Sequence, residues 1–457
     1  MKSFAVTSPR AHWLAMLPSL ALLLGAGLAP PAGAQTWVPR YDLYSGASGS
    51  HLGSSMAIRV VLGDDGREVI RMYVGAPDAD KDGLAQAGAV RIYNPGPQGW
   101  ELAATLYSNS PQAGAHFGAT LAFGYAFLVV GAPDFVSGGG ANSGAGRVEI
   151  YIDNGLPAAA LTLKSAISGG PGQHYGHSLA MDDEMLALGY IPSNDSGCVV
   201  TYRYDTTAQQ FMALPAIHNF ICGVAGAELG SSLAIRRTGD QNFVLVAGAI
   251  GETRNGNALA GAAHVYAPNP NVGTGGLVEI GTLTAPDPQF LDVFGTSVGI
   301  DADYVYVGAT GRDNGAGRVG SVTIFKPGFP FGYDLVHEYF PGAPATIGGH
   351  CGAALSVDQY ADQFVLGCPD SNGTVAQQGN ARLFRKTTFL GQPVWIESLL
   401  GFGNTPHGAD HLGSSVAVLN DQVFLGSPGT DVQPVGLDNG GWWEFISDDV
   451  IFEDGFE

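Results

Sequence analysis

Short apolar runs recur along the chain, each cut off by residues rich in Gly, Asp or Asn. MAIRVV (56–61), IRMYVGA (70–76), TLAFG (120–124) and FLVVGA (127–132) are the first of them. Runs this short, bounded by turn formers, predict β-strands. Their order is periodic. LGSSMA at 52–57 returns as FGATLA (117–122), YGHSLA (175–180), LGSSLA (229–234), FGTSVG (294–299), CGAALS (351–356) and LGSSVA (412–417). The glycines shared by these copies are 53, 118, 176, 230, 295, 352 and 413, in steps of 65, 58, 54, 65, 57 and 61 residues. A recurring period of this order marks a repeat architecture, and seven units fill the chain.

Each unit carries a second mark, an apolar run ending in Gly-x-x. These are VGAP (74–77 and 130–133), LGYI (188–191), AGAI (247–250), VGAT (307–310), LGCP (366–369) and LGSP (425–428). Two strands and a tight turn fit between the marks, which is a β-hairpin. Unit one lengthens that hairpin with GDDGRE at 63–68, where Asp65-Gly66 supplies left-handed residues. A third strand follows a polar loop, from AVRIY (89–93) to WWEF (442–445), and a fourth, such as WELAATLY (100–107), precedes the next unit. The seventh unit stops after its third strand, and WVPRYDLYSG (37–46) has the pattern of the missing one.

The expected fold is therefore all-β: a seven-bladed β-propeller of four-stranded antiparallel blades, its ring closed by the N-terminal strand completing the last blade. Such closure protects sheet edges. The repeats fall near 51–108, 116–165, 174–215, 228–285, 293–341, 350–402 and 411–447, with the closing strand at 36–44.

Composition adds the compartment. Lys2 and Arg10, an apolar stretch from Trp13 to Leu28 and Ala32-x-Ala34 have the order of a secretory signal peptide. Residues 1–34 are read as that peptide, cleaved after Ala34. The expectation is an exported chain with a propeller at 35–447 and no transmembrane anchor. Removing the two basic residues takes the formal charge from −21 to −23. A chain this acidic repels phosphate backbones and anionic lipid, which argues against nucleic acid. Four cysteines in an exported chain predict disulfides. Cys351 and Cys368 flank the strand–turn–strand stretch GAALSVDQYADQFVLG, leaving Cys198 to pair with Cys222.

FG-x-S-(V/L)-A followed by VGAP resembles the FG-GAP repeat, the blade unit of the integrin α-subunit N-terminal propeller and of many bacterial exported proteins. The resemblance spans residues 36–447 and is sharpest in unit two, FGATLAFGYAFLVVGAPD. In integrins the propeller binds partners and holds Ca²⁺ in a D-x-D-x-D-G-type loop between the first two strands. The one such run here is Asp78-Ala79-Asp80-Lys81-Asp82-Gly83. It follows the GAP mark and so falls on the opposite face. Its ninth and twelfth positions are Gln86 and Ala89, without closing carboxylates. Asp78, Asp80 and Asp82 are thus a weak Ca²⁺ half-site or a solvated acidic loop.

His51, His116, His174, His350 and His411 all stand two residues before the marked glycine, where units four and five have Glu228 and Val293. A side chain repeated in phase with the blades reads first as a structural residue of the turn, and second as a metal- or pH-responsive ring. Asp134, Asp313 and Asp370 after the GAP mark read as turn chemistry. Trp442-Trp443 reads as a packing pair before a sugar platform. No catalytic constellation stands outside the repeat. The expected role is a non-catalytic, monomeric binding or adhesion propeller whose partner is an extracellular protein or glycan. The alternatives are a hydrolase or lyase acting on an extracellular polymer and a structural surface or matrix component. The last ten residues, DDVIFEDGFE, form an acidic tail outside the repeats.

Overall fold

The computed structural model describes residues 37–447, except 45–48, 63–67, 97–98, 138–143, 156–160, 214–219, 240–241, 270–275, 329–331, 344–345, 359–361, 374–375, 401–408, 421 and 431–438. The segment read as a signal peptide, the Asp65-Gly66 turn and the acidic tail lie outside the described residues.

Seven antiparallel sheets follow one another along the chain, and the described residues contain no helix. In blade two the strands are Thr120–Gly124, Phe127–Ala132, Arg147–Asp153 and Leu161–Ser168, each paired with the next. The innermost strands of neighbouring blades adjoin in order around the ring, and that of blade seven, Ser415–Leu419, adjoins Ser55–Leu62 of blade one. Trp37–Tyr44 pairs with Gly441–Ser447 as the fourth strand of the seventh sheet.

The second strand of each blade has a blade packed on both faces. Phe127–Ala132, Met185–Tyr190 and Gln363–Cys368 are accordingly buried at every position. That explains why the second mark reads as a continuous apolar run and not as an alternation. Outer strands such as Leu161–Ser168 alternate in exposure.

Blade three departs from the expected boundary at 215. Its outer strand is split into Gln210–Ala213 and Phe220–Cys222, both paired with Cys198–Asp205. Cys222 therefore belongs to blade three and stands directly opposite Cys198, to which it is disulfide-bonded. The second disulfide joins Cys351 to Cys368, as the hairpin spacing implied.

Both marked glycines have a packing reason. The first, as in His51-Leu52-Gly53-Ser54, is the third residue of a β-turn closed by Ser54 N–H donating to His51 O. It takes φ of +99° at Gly53 and +92° at Gly118 and Gly413, where a type II turn wants glycine. The second glycine is approached by the next blade. A Cβ at Gly75, Gly131, Gly189, Gly248, Gly308, Gly367 or Gly426 would lie well under 3.0 Å from the carbonyl oxygen of the first glycine of the following blade. The same carbonyls accept a hydroxyl. Ser55, Thr120, Ser178, Ser232 and Ser297 donate to Gly118, Gly176, Gly230, Gly295 and Gly352 at 2.5–2.7 Å. Ser415 completes the circle by donating to Gly53 at 2.7 Å.

Blade six has Ala354 at this position, facing blade seven without a hydroxyl. Ala354→Ser should restore the missing donor to Gly413 O and raise stability by about 1 kcal/mol, the net value of one such hydrogen bond. Urea denaturation of the two proteins side by side measures it; a lowered midpoint would contradict the belt.

Candidate functional site: the loop face of the ring

In a meander, the second–third loops and the turns between blades emerge on one face, and the remaining hairpins on the other. Each inter-blade turn places the residue before the marked dipeptide in the left-handed region: His51, His116, His174, Glu228, Val293, His350 and His411 all have φ of 49–54°. Their backbone is pinned from the preceding blade. The N–H of His116, His174, Glu228, Val293 and His411 donates to Gln86, Gly144, Asp195, Leu259 and Gln377 of the previous second–third loop, at 2.8–3.2 Å. The repeated position is a left-handed residue of the turn that joins one blade to the next.

Their side chains do more than fill the turn. The imidazole Nδ1 of His51 lies 2.5 Å from Asp78 Oδ2, and Nε2 of His116 lies 3.2 Å from Asp78 Oδ1. His116 Nδ1 is 2.7 Å from Asp134, whose other oxygen is 3.2 Å from His174 Nδ1. Asp370 bridges His350 at 2.5 Å and His411 at 2.8 Å. Three carboxylates therefore lie against all five repeat histidines, each beside one imidazole of its own blade and one of the next. The arc runs across blades six and seven and again across blades one to three.

This arrangement corrects the reading of the acids after the GAP mark. Asp78, Asp134 and Asp370 occupy equivalent places, whereas Asp313 does not: its carboxylate accepts from Gly315 and Gly317 N–H within its own loop. The bridging was legible in retrospect, because every unit with Asp directly after GAP is followed by a unit with His.

The candidate Ca²⁺ residues face three different partners. Asp78 is turned to two imidazoles, Asp80 accepts from Gln86 N–H at 3.0 Å, and Asp82 pairs with Lys81 at 2.8 Å with its side chain 79% exposed. Asp82 and Gly83, with φ of 50° and 85°, form the tip of a tight turn closed by Lys81 and Leu84. Among the described residues, no group of three or more His, Cys, Asp or Glu is arranged to hold a metal ion. Trp442 and Trp443 are both buried, Trp442 edge-on to Tyr93 and Trp100 of blade one, so the pair packs and offers no platform.

Blade four carries a cluster that sequence reasoning missed. His264 lies between Glu252 (3.0 Å from Nε2) and Glu279 (2.9 Å from Nδ1), with Arg254 also on Glu252 at 2.8 Å. Burial alone would lower the imidazole, but hydrogen bonds and charge from both carboxylates leave it raised. Burial raises the two carboxyls, yet His264 with Arg254 or Thr282 leaves them below their ordinary range. The raised histidine stabilises the fold fully below its unfolded value, about pH 6.5, and this is lost as pH rises through the folded value. The lowered carboxyls contribute above their unfolded value, about 4.3, and lose this as pH falls through their folded values. Melting temperature should therefore fall from mildly acidic to alkaline pH, and less steeply in His264→Gln. Parallel pH profiles of the two proteins would exclude this cluster as the cause.

The fold and its seams define the class: a seven-bladed β-propeller whose blades are joined glycine to glycine. Residues 277–325, from the outer strand of blade four to the third strand of blade five, match the FG-GAP repeat. That stretch is similar to one FG-GAP repeat and lies at the fifth unit, not at the second, where the resemblance is sharpest by eye. No curated protein sequence matches the chain. Similar solved structures include a candidate 6-phosphogluconolactonase from Bacteroides fragilis, 12% identical over 78% of this chain and 85% of that one, with a TM-score of 0.48. Sqt1 from Saccharomyces cerevisiae is 11% identical over 85% and 82%, at 0.44. A candidate 6-phosphogluconolactonase from Bacteroides uniformis is 13% identical over 78% and 86%, at 0.45.

Proposed function

We propose that this protein is an exported, non-catalytic binding propeller that presents its second–third and inter-blade loops to an extracellular protein or glycan. The supporting observation is a division of labour. The repeated residues (both glycines, the serine, and the His–Asp bridges) are directed at the neighbouring blade, so they hold the ring. The loops of one face differ from blade to blade, as between residues 191–197 in blade three and 77–88 in blade one. Loops of variable length on one side of a repetitive scaffold are where such scaffolds place recognition. Two disulfides suit an oxidising compartment, and no helix among the described residues is long and apolar enough to cross a membrane. The test is an array of extracellular glycans and matrix proteins probed with residues 35–457, run beside a panel of polysaccharide substrates. Saturable capture without turnover is the expected result. Turnover of any substrate on the panel overturns the proposal in favour of an enzyme.

A further inference from the structure

The loop face is not uniform around the ring, and the junction of blades four and five is its outlier. Two repeat positions of the inter-blade turn are left-handed in all seven blades, and a third, on the preceding loop, is left-handed in five and is taken by Arg318, outside that region, in blade five. Two residues before the histidine position stand Gly49, Gly114, Gly172, Gly226, Gly348 and Ala409, but Leu291 at this junction, with φ of 61°. At the histidine position stands Val293. On the preceding loop, where other blades have Gln86, Gly144, Asp195 and Gln377, stands Leu259, with φ of 53°. A left-handed backbone is disfavoured for branched apolar side chains and suits Gly, Asn or Asp. One junction therefore holds three apolar residues where the rest of the ring uses polar or small ones.

These residues adjoin each other. Leu291 and Val293 N–H donate to Ala258 and Leu259 carbonyls. Arg318 reaches from the next loop to the carbonyls of Leu291 and Phe290 at 2.6 and 2.5 Å, and Ile347 packs over Gly317 beside it. Phe290 is 52% exposed, Ile347 66% and Leu259 38%. Scattered exposed apolar residues need no explanation, but a contiguous set held in an unfavourable backbone does.

The rim sets the charge of what covers it. Asp287 and Asp313 are exposed beside the patch. Of the nearby cations, Arg312 is neutralised by Glu338 and Asp292, and Arg318 is held on the carbonyls of Phe290, Leu291 and Gly311, which leaves two exposed carboxylates against one cation at the rim. At the preceding junction, burial and the charge of Asp195 both raise the Glu228 carboxyl, as expected of a carboxylate without enough positive charge nearby. We infer that the blade four–five junction is the docking site of a protein segment bearing apolar anchors flanked by Lys or Arg. This rests on the binding role proposed above and names the chemistry of the partner.

The test uses short synthetic peptides with Leu and Phe anchors flanked by Lys, the same anchors flanked by Glu, and Lys with Ser in place of the anchors. Binding to residues 35–457 is followed by fluorescence anisotropy. Only the apolar–basic peptide should bind. The variant Leu259→Gln/Leu291→Gly/Val293→His, which installs the residues of the other junctions, should weaken that binding at least about tenfold, the size of a lost hot spot. Its melting temperature should equal or exceed that of the wild type, so lost binding cannot be ascribed to unfolding. Phe290→Ser/Ile347→Ser gives an independent loss without touching a left-handed residue. Undiminished binding in both variants overturns the inference, as does failure of the apolar–basic peptide to bind. If the array partner is captured equally by wild type and triple variant, this junction is excluded while the binding role stands. Absence of both peptide and array binding removes both.

Discussion

Gly426→Ala should destabilise the protein by about 3 kcal/mol, at the upper end of what overpacking a close-packed interior costs. The φ of Gly426 is ordinary, so the backbone itself admits alanine. The obstacle is the added methyl group, which would overlap Gly53 O of blade one and Ser415 Oγ. Neither can move away freely, because Ser415 Oγ donates to that carbonyl. Two companions separate the contributions. Gly53→Ala adds left-handed strain to a clash with Gly441 O and should be at least as damaging. Gly239→Ala meets nothing nearer than 3.8 Å and should stay within about 0.5 kcal/mol of wild type. Urea denaturation followed by tryptophan fluorescence reads all three, since Trp442 lies at this seam. Equal midpoints for Gly426→Ala and Gly239→Ala would show that the blades tolerate separation.

Asp153→Asn should have the second large effect, a loss of about 3–5 kcal/mol. Asp153 ends the third strand of blade two and is 1% exposed; Arg71, on the second strand of blade one, is fully buried. The guanidinium donates to both carboxylate oxygens at 2.6 and 2.8 Å, and Tyr73 donates its hydroxyl to the same group. Removing the negative charge leaves Arg71 uncompensated in the interior. Replacing both, as in Arg71→Met/Asp153→Leu, should cost less than the single change, because the fully buried guanidinium goes with its partner and only Arg59, 3.2 Å from the same carboxylate and partly exposed, keeps its charge there. Comparable losses in the single and double variants would refute this account. Burial pushes the Asp153 carboxyl up, but Tyr73, the Gly155 N–H and Arg71 hold it below its ordinary value on balance. Its contribution is thus present above the unfolded value, about pH 3.9, and disappears as pH falls through the lower folded one.

The blades were legible in the sequence because the residues that seam them together are few, small and periodic. Gly53 and Gly75 are each fixed by a geometric demand that no other residue meets, so seven copies remained visible in different surroundings. Blade three's outer strand was not legible, since its two paired pieces, Gln210–Ala213 and Phe220–Cys222, are each too short to show a period. The histidines were seen as repeated but not as bridged. Their partners, Asp78, Asp134 and Asp370, are displaced by a strand pair or by a whole blade, and no local pattern joins them. Asp313 misled for a related reason: the position equivalent to Asp78 in blade five is Gly311, and the acid two residues on serves its own turn. The apolar junction of blades four and five was hidden because Leu291, Val293 and Leu259 look unremarkable until their backbone conformation is known.

The hydrogen bond from Ser415 to Gly53 spans 362 positions of chain, and it links the two copies of HLGSS to each other. That distance has a kinetic meaning. A contact so remote in sequence is the slowest to form, and it cannot form before the last blade has been synthesised. Until then blade one keeps an unmatched flank, with Ile58, Ile70 and Trp100 waiting for Phe424 and Trp442. Folding of this ring is gated by its end. The apolar flank that blade one turns to blade seven can be covered only once the last blade is present, so a chain cut before residue 415 should expose it.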